Sequence, residues 1–151
     1  MRKLLKESFV PYPVEEVFGF FSKPENLNLL TPESLQFRIL TALPVEMKQG
    51  ALIDYSIKLG GIPFRWRTEI TAWEPPFRFI DTQLKGPYKV WIHEHTFAPS
   101  GTGTIVTDSV SYLAPGWIIE PLIHSFFIRG RLEHIFDYRE KKLKSIFKDN
   151  D

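Results

Sequence analysis

The sequence predicts an α+β domain in which a curved, seven-stranded antiparallel sheet wraps around a long C-terminal helix, with two short helices between the first and second strands. Three observations carry this. Apolar and polar residues alternate through much of the stretch from 35 to 113, the period of strands with one buried face. The breaks between these runs are short and rich in Gly and Pro, which favours hairpins and therefore antiparallel neighbours. Beyond Pro115-Gly116 the apolar spacing becomes three and four, the period of a helix.

Leu4 to Val10 reads as the first strand, broken by Pro11-Tyr12-Pro13 before the helical run Val14 to Phe21. Ser22-Lys23-Pro24-Glu25 opens a second short helix through Leu30, which Thr31-Pro32 ends because a residue before proline disfavours the helical region. Leu35, Phe37 and Ile39 begin the alternating pattern, and Ile53, Tyr55, Ile57 and Leu59 continue it. Gly60-Gly61 is a two-residue hairpin signal that pairs Leu59 with Ile62, Ile57 with Phe64, Tyr55 with Trp66 and Ile53 with Thr68. Glu74-Pro75-Pro76, Gly86-Pro87 and the segment 99–103 separate the remaining strands: one ending at Trp73, then Phe77 to Leu84, Lys89 to Ala98 and Thr104 to Leu113. In the C-terminal helix Ile128, Leu132, Ile135, Phe136, Arg139, Leu143, Ile146 and Phe147 form one stripe. Ile119, Leu122, Ile123, Phe126 and Phe127 lie on another side, so a kink or restart is expected near Gly130.

The 151 residues suit one domain, 1–148, followed by a polar tail at 149–151, with enough chain for a core and a cavity. A net charge of +1 from 19 basic and 18 acidic residues argues against a nucleic-acid partner. With no cysteine, disulfides, thiolate metal sites and thiol nucleophiles are excluded. The N-terminal apolar run is too short for a signal-peptide core, and no stretch approaches the roughly 20 apolar residues of a membrane span. No glycine-rich loop has nucleotide-binding spacing, and Ser34, Ser56 and Ser109 lack a nucleophile elbow. The 13 Phe, 4 Trp and 5 Tyr suit a lined cavity, although sheets favour aromatics too.

The strand Trp91-Ile92-His93-Glu94-His95-Thr96-Phe97 places Trp91, His93, His95 and Phe97 on one face. Pairing Phe97 with Val106 sets His95 opposite Asp108, His93 opposite Val110 and Trp91 opposite Tyr112; pairing Gln83 with Trp91 sets Asp81 opposite His93. The expected result is a polar cluster of Asp81, Gln83, His93, His95, Asp108 and Tyr112 among Trp66, Phe79, Trp91 and Phe97. Three roles fit it. His93, His95, Asp81 and Asp108 could transfer protons, orient a ligand's polar group, or have no further function, either satisfying one another in a polar core or lying on the solvated face of the sheet. Two histidines and a carboxylate also match a facial metal site, with His93 and Asp81 as first ligands, but the pattern lacks a third firm ligand and no metal or cofactor is expected.

Trp66, Phe79, Trp91, Phe97, Val110, Tyr112 and Phe126, with Gln83, are the candidate ligand contacts. Arg65 and Arg67 fall on the opposite face, where pairing with Glu69 is the plain expectation. Arg129, Arg131, Arg139, Lys141, Lys142 and Lys144 read as a solvated helix face balanced by Glu133, Asp137 and Glu140, and His124 and His134 as isolated. Trp117, Ile118 and Ile119 fit either a cap over the pocket mouth or, if exposed together, a lipid-facing surface.

The order strand, two small helices, six strands and long helix resembles the helix-grip superfamily of START lipid-transfer domains, plant pathogenesis-related allergens and polyketide cyclases. Phe79-Ile80-Asp81-Thr82-Gln83, Gly86-Pro87-Tyr88, Trp91, His93, His95, Phe97, Gly103-Thr104, Asp108, Val110, Tyr112 and 135–139 (Ile-Phe-Asp-Tyr-Arg) are similar to bacterial ligand-binding SRPBCC proteins. The resemblance covers essentially the whole chain. It implies a cavity for a small hydrophobic molecule and cytoplasmic residence, and leaves open whether the protein carries or senses that molecule or is a cyclase, dehydratase or hydrolase-like enzyme.

Overall fold

A computed structural model describes residues 1–148; the tail expected at 149–151 lies outside the described residues. Seven strands, β1 (Arg2–Val10), β2 (Arg38–Ile39), β3 (Leu52–Leu59), β4 (Ile62–Glu74), β5 (Arg78–Lys85), β6 (Val90–Ser100) and β7 (Gly103–Leu113), form one antiparallel sheet in the order β1-β7-β6-β5-β4-β3-β2. The hairpin register agrees with the one the apolar pattern requires: Tyr55 opposes Trp66, Asp81 opposes His93, and His95 opposes Asp108. Gly60 and Gly61 both take positive φ, 58° and 79°, so the two-residue turn matches the twist of its strands at no side-chain cost. Two register shifts in β4, at Arg67/Thr68 and Ile70/Ala72, bend the sheet so that its inner face becomes concave.

Helix α1 (Val14–Phe21) buries Val14, Val17 and Phe18 against the far end of the sheet, where Phe18 meets Phe97 edge-on at 5.2 Å. A 3₁₀ segment, Pro24–Leu30, comes next. The second strand is shorter than the alternation at 35–39 suggested. Glu33–Leu35 is instead a 3₁₀ turn, and Gln36 at φ 44° reverses the chain, leaving only Arg38–Ile39 to pair with β3.

The C-terminal arm starts with a 3₁₀ turn at Trp117–Ile119 and continues as α2 (Glu120–Ile123), a π-helical turn at His124–Ile128 and α3 (Arg129–Ile146). Leu132, Phe136, Arg139 and Leu143 are the buried stripe of α3. The two apolar faces are rephased by the π turn rather than by a break at Gly130: a wider turn accommodates one extra residue and rotates α3 relative to α2. No helix among the described residues is long and apolar enough to cross a membrane.

Candidate functional site

Strand alternation sends His93 and His95 into the concave face, and antiparallel pairing brings Asp81 from β5 and Asp108 from β7 beside them. The shortest contacts run diagonally. His93 Nε2 meets Asp108 Oδ1 at 2.8 Å, and His95 Nε2 meets Asp81 Oδ2 at 2.5 Å. The remaining ring nitrogens face straight across at longer range, His93 Nδ1 to Asp81 at 3.8 Å and His95 Nδ1 to Asp108 at 3.4 Å. The two imidazoles stack with centroids 3.7 Å apart, and His95 stacks in turn on Phe79 at 4.1 Å.

From the opposite wall, Arg139 of α3 donates Nε–H to Asp108 Oδ2 and Nη2–H to Asp108 Oδ1, each at 3.2 Å, while lying 5.2 Å from the Phe21 ring centre. This corrects the solvated-face reading of Arg139, which is 6 % exposed. Its place on the stripe between Phe136 and Leu143 was the signal, since a charge on an apolar face needs a buried partner.

Burial opposes ionisation of Asp108, yet the Arg139 charge and the hydrogen bonds from both histidines hold its carboxyl well below the usual range. Asp81 is also lowered, burial being outweighed by His93 and His95. The imidazoles diverge. Burial and the neighbouring His95 depress His93, whereas at His95 burial is overcome by hydrogen bonds to Asp108 and Asp81, which raise it. Over the range between those two histidine values, two carboxylates face two cations, Arg139 and His95, and His93 is neutral.

Proton NMR of the imidazole resonances is therefore expected to show His95 titrating above 6.5 and His93 below it. The stabilising contribution of charged His95 is full below 6.5 and is lost as pH rises through its raised value. That of neutral His93 is full above 6.5 and is lost as pH falls toward its lowered value. The reverse order of titration would contradict this charge assignment.

A cavity of about 180 Å³ lies between sheet and α3, and among the described residues Asp81, His93, His95 and Arg139, with Lys23, supply its acidic and basic lining. Trp66, Phe79 and Trp91 line it as candidate contacts, joined by Tyr55, Tyr88, Leu132 and Phe136. Other candidates lie elsewhere. Phe97 and Val110 are buried in the core behind the lining, and Asp108 sits behind the histidines. Tyr112 is buried and shares a 2.8 Å hydrogen bond with His124, a histidine that the sequence left isolated.

Gln83 is outside the lining, where Nε2–H donates to the Tyr88 carbonyl and Oε1 accepts from the Tyr88 N–H, closing the β5–β6 turn. Phe126 is 76 % exposed, which removes it from the cavity wall; the π turn swings it outward. On the outer face Arg67 pairs with Asp54, its neighbour across the hairpin, rather than with Glu69.

Ligand atoms of Asp81, His93 and His95 all lie within 4.8 Å of one another, close enough to consider a cation. The site already holds a cation of its own, since the Arg139 guanidinium donates to Asp108 at 3.2 Å and its Nη2 lies 3.4 Å from His95 Nδ1, where a metal ion would be repelled.

Residues 10–133 match the family model described as polyketide cyclase / dehydrase and lipid transport. The chain belongs to this family. Its fold is shared with the protein TTHA0849 from Thermus thermophilus, at TM-score 0.73 and 17 % identity over 97 % of this chain and 100 % of that one. Ginseng major latex-like protein 151 from Panax ginseng aligns at TM-score 0.70 and 14 % identity over 98 % of each chain. A nucleoside-diphosphate sugar epimerase from Corynebacterium glutamicum is 26 % identical, at TM-score 0.69, over 94 % of this chain but 28 % of its own. No curated protein matches. Family membership and shared architecture together make this a ligand-binding SRPBCC fold of helix-grip type.

Proposed function

We propose that the protein binds a small, largely apolar molecule with one neutral oxygen-bearing end, in the cavity between sheet and α3, as a cytoplasmic carrier or sensor. The observation that carries this is an apolar cavity whose one cluster of charge is already balanced. A neutral carbonyl or hydroxyl can hydrogen-bond to it, whereas a carboxylate would add an uncompensated buried charge. The cavity has room for on the order of ten waters, a volume suited to a small ligand rather than a long double-chain lipid.

The Trp66 indole supports the same reading. Its Nε1–H is the one buried side-chain polar group without a partner among the described residues, in a residue that lines the cavity. Such a group calls for an explanation, and a ligand oxygen supplies one. Trp66→Phe should weaken binding of a medium-chain ketone about tenfold, the value of one hydrogen bond of about 1.4 kcal/mol, while the indole volume lost from between Tyr55, Tyr88 and Trp91 lowers the stability of the free protein. Calorimetric titration with a ketone, an alcohol and a carboxylate of equal chain length tests both parts. The ketone or alcohol should bind more tightly than the carboxylate; carboxylate preference, or no effect of the substitution, would count against the reading.

The second reading is proton-transfer catalysis in a cyclase, dehydratase or hydrolase-like reaction. It is favoured by the 2.5 Å His95–Asp81 contact on the cavity wall, which joins a cationic acid to its carboxylate. In that case the neutral ligand end is the group that His95 protonates.

A further inference from the structure

We infer that the face formed by the 3₁₀ turn, α2 and the π turn docks on the surface of an anionic lipid bilayer. Trp117, Ile118, Ile119, Leu122, Phe126 and Phe127 are all exposed here, three of them by 75–79 %. Monomeric soluble proteins seldom present so large a run of apolar side chains to water. The exposures also describe a projecting surface. Side chains that stand out this far are suited to insertion among acyl chains and headgroups, where Trp and Phe sit well.

The backbone supports the presentation. Gly116 at φ 109° and Trp117 at φ 48° place two successive residues in the left-handed region, which for Trp117 costs roughly 1–2 kcal/mol. The folded chain recovers none of that cost by burying the indole, which remains 79 % exposed. Conformations held in this way cluster at sites of function.

Charge decides the occupant. Between Leu113 and Arg131 the one acidic residue is Glu120, which is buried and accepts hydrogen bonds from Arg2 Nε and Nη2 at 3.0 and 3.2 Å. Exposed cations flank the face: Arg129 and Arg131 begin α3 directly after the π turn, and Lys89, whose N–H donates to the Leu113 carbonyl, lies where the arm leaves β7. A chain of net charge +1 thus presents a locally basic rim around its most apolar surface. A second copy docked by two-fold symmetry would bring these cations near their own counterparts, whereas anionic lipid phosphates would neutralise them.

Flotation of the purified protein with phosphatidylcholine vesicles, with and without phosphatidylglycerol, tests this independently of any cavity ligand. The wild type should float with the phosphatidylglycerol vesicles and shift its tryptophan emission to the blue. Trp117→Phe should keep flotation and lose most of that shift, because Trp66 and Trp91 are buried and Trp73 is packed against Phe18 and Phe79 in either state. Ile118→Asp with Phe126→Asp should weaken binding at least about tenfold, and Arg129→Glu with Arg131→Glu should do the same selectively on anionic vesicles. Urea midpoints of these surface variants should match the wild type; if the aspartate pair unfolds, the glutamate pair still decides. No flotation with anionic vesicles, or flotation undiminished in folded variants, would overturn the inference. So would a sedimentation-velocity dimer that the aspartate pair breaks, which would assign the face to a second copy.

Discussion

Arg139→Met is expected to destabilise the protein by about 3–5 kcal/mol, because it leaves the buried Asp108 carboxylate without the cation that balances it. The side chains are of similar length, so the packing between Phe136 and Leu143 largely survives and the loss is electrostatic. Two carboxylates would then face one histidine cation, and His93 should take up the proton that it otherwise refuses. Asp108→Asn alone removes a charge on the other side and turns one acceptor oxygen into an amide donor, which ends the two-oxygen contact with Arg139. Combining the two should cost much less than their sum, since neither variant then leaves the other's charge stranded. Urea unfolding of the wild type, both single variants and the double variant measures the coupling. Additive effects would show that Arg139 and Asp108 do not act as a pair.

Phe79→Ala should cost a further about 3–5 kcal/mol, through the loss of a buried ring that touches Phe18, Trp73 and His95. At His95 it combines two opposed changes, loss of the ring's π face and relief of the burial that lowers the imidazole's pKa. The Phe79 ring lies 4.1 Å from the His95 ring and nearly parallel to it, so its π face supports the charged imidazole. Phe79→Leu separates the two effects: an apolar side chain recovers most of the packing but no π face. Stability near the wild type together with a lowered His95 value is the expected result for Leu. An unchanged titration in both variants would remove Phe79 from the electrostatic account.

Much of this was legible in the sequence because a strand has a period of two and a hairpin turn fixes its register. Once Gly60-Gly61 and the segment 99–103 were read as turns, the pairs Tyr55/Trp66 and His95/Asp108 followed without further information. The short diagonal contacts did not follow, since side-chain rotamers rather than register decide whether His93 reaches Asp81 or Asp108. Arg139 was visible as a charge on an apolar stripe but was grouped with its solvated basic neighbours, because sequence spacing carries no information about a partner on another element. Phe126 was misplaced for a different reason. A π turn inserts a residue into the helical repeat, and the 3.6-residue projection that assigns faces fails across it. At 35–39 the alternation was real, but left-handed Gln36 interrupts the strand that it implied.

Ile135 lines the cavity from α3 and is only partly buried, so Ile135→Trp can fill the space without disturbing Leu132 or Phe136. Native mass spectrometry of the purified wild type and this variant, with extraction of retained small molecules, tests the cavity reading most directly. The wild type should carry, or take up from the ketone and alcohol series, one apolar molecule with a neutral oxygen, and folded Ile135→Trp should carry none. A wild type that retains nothing and loads with none of the series, or a variant that loads as well as the wild type, would contradict it.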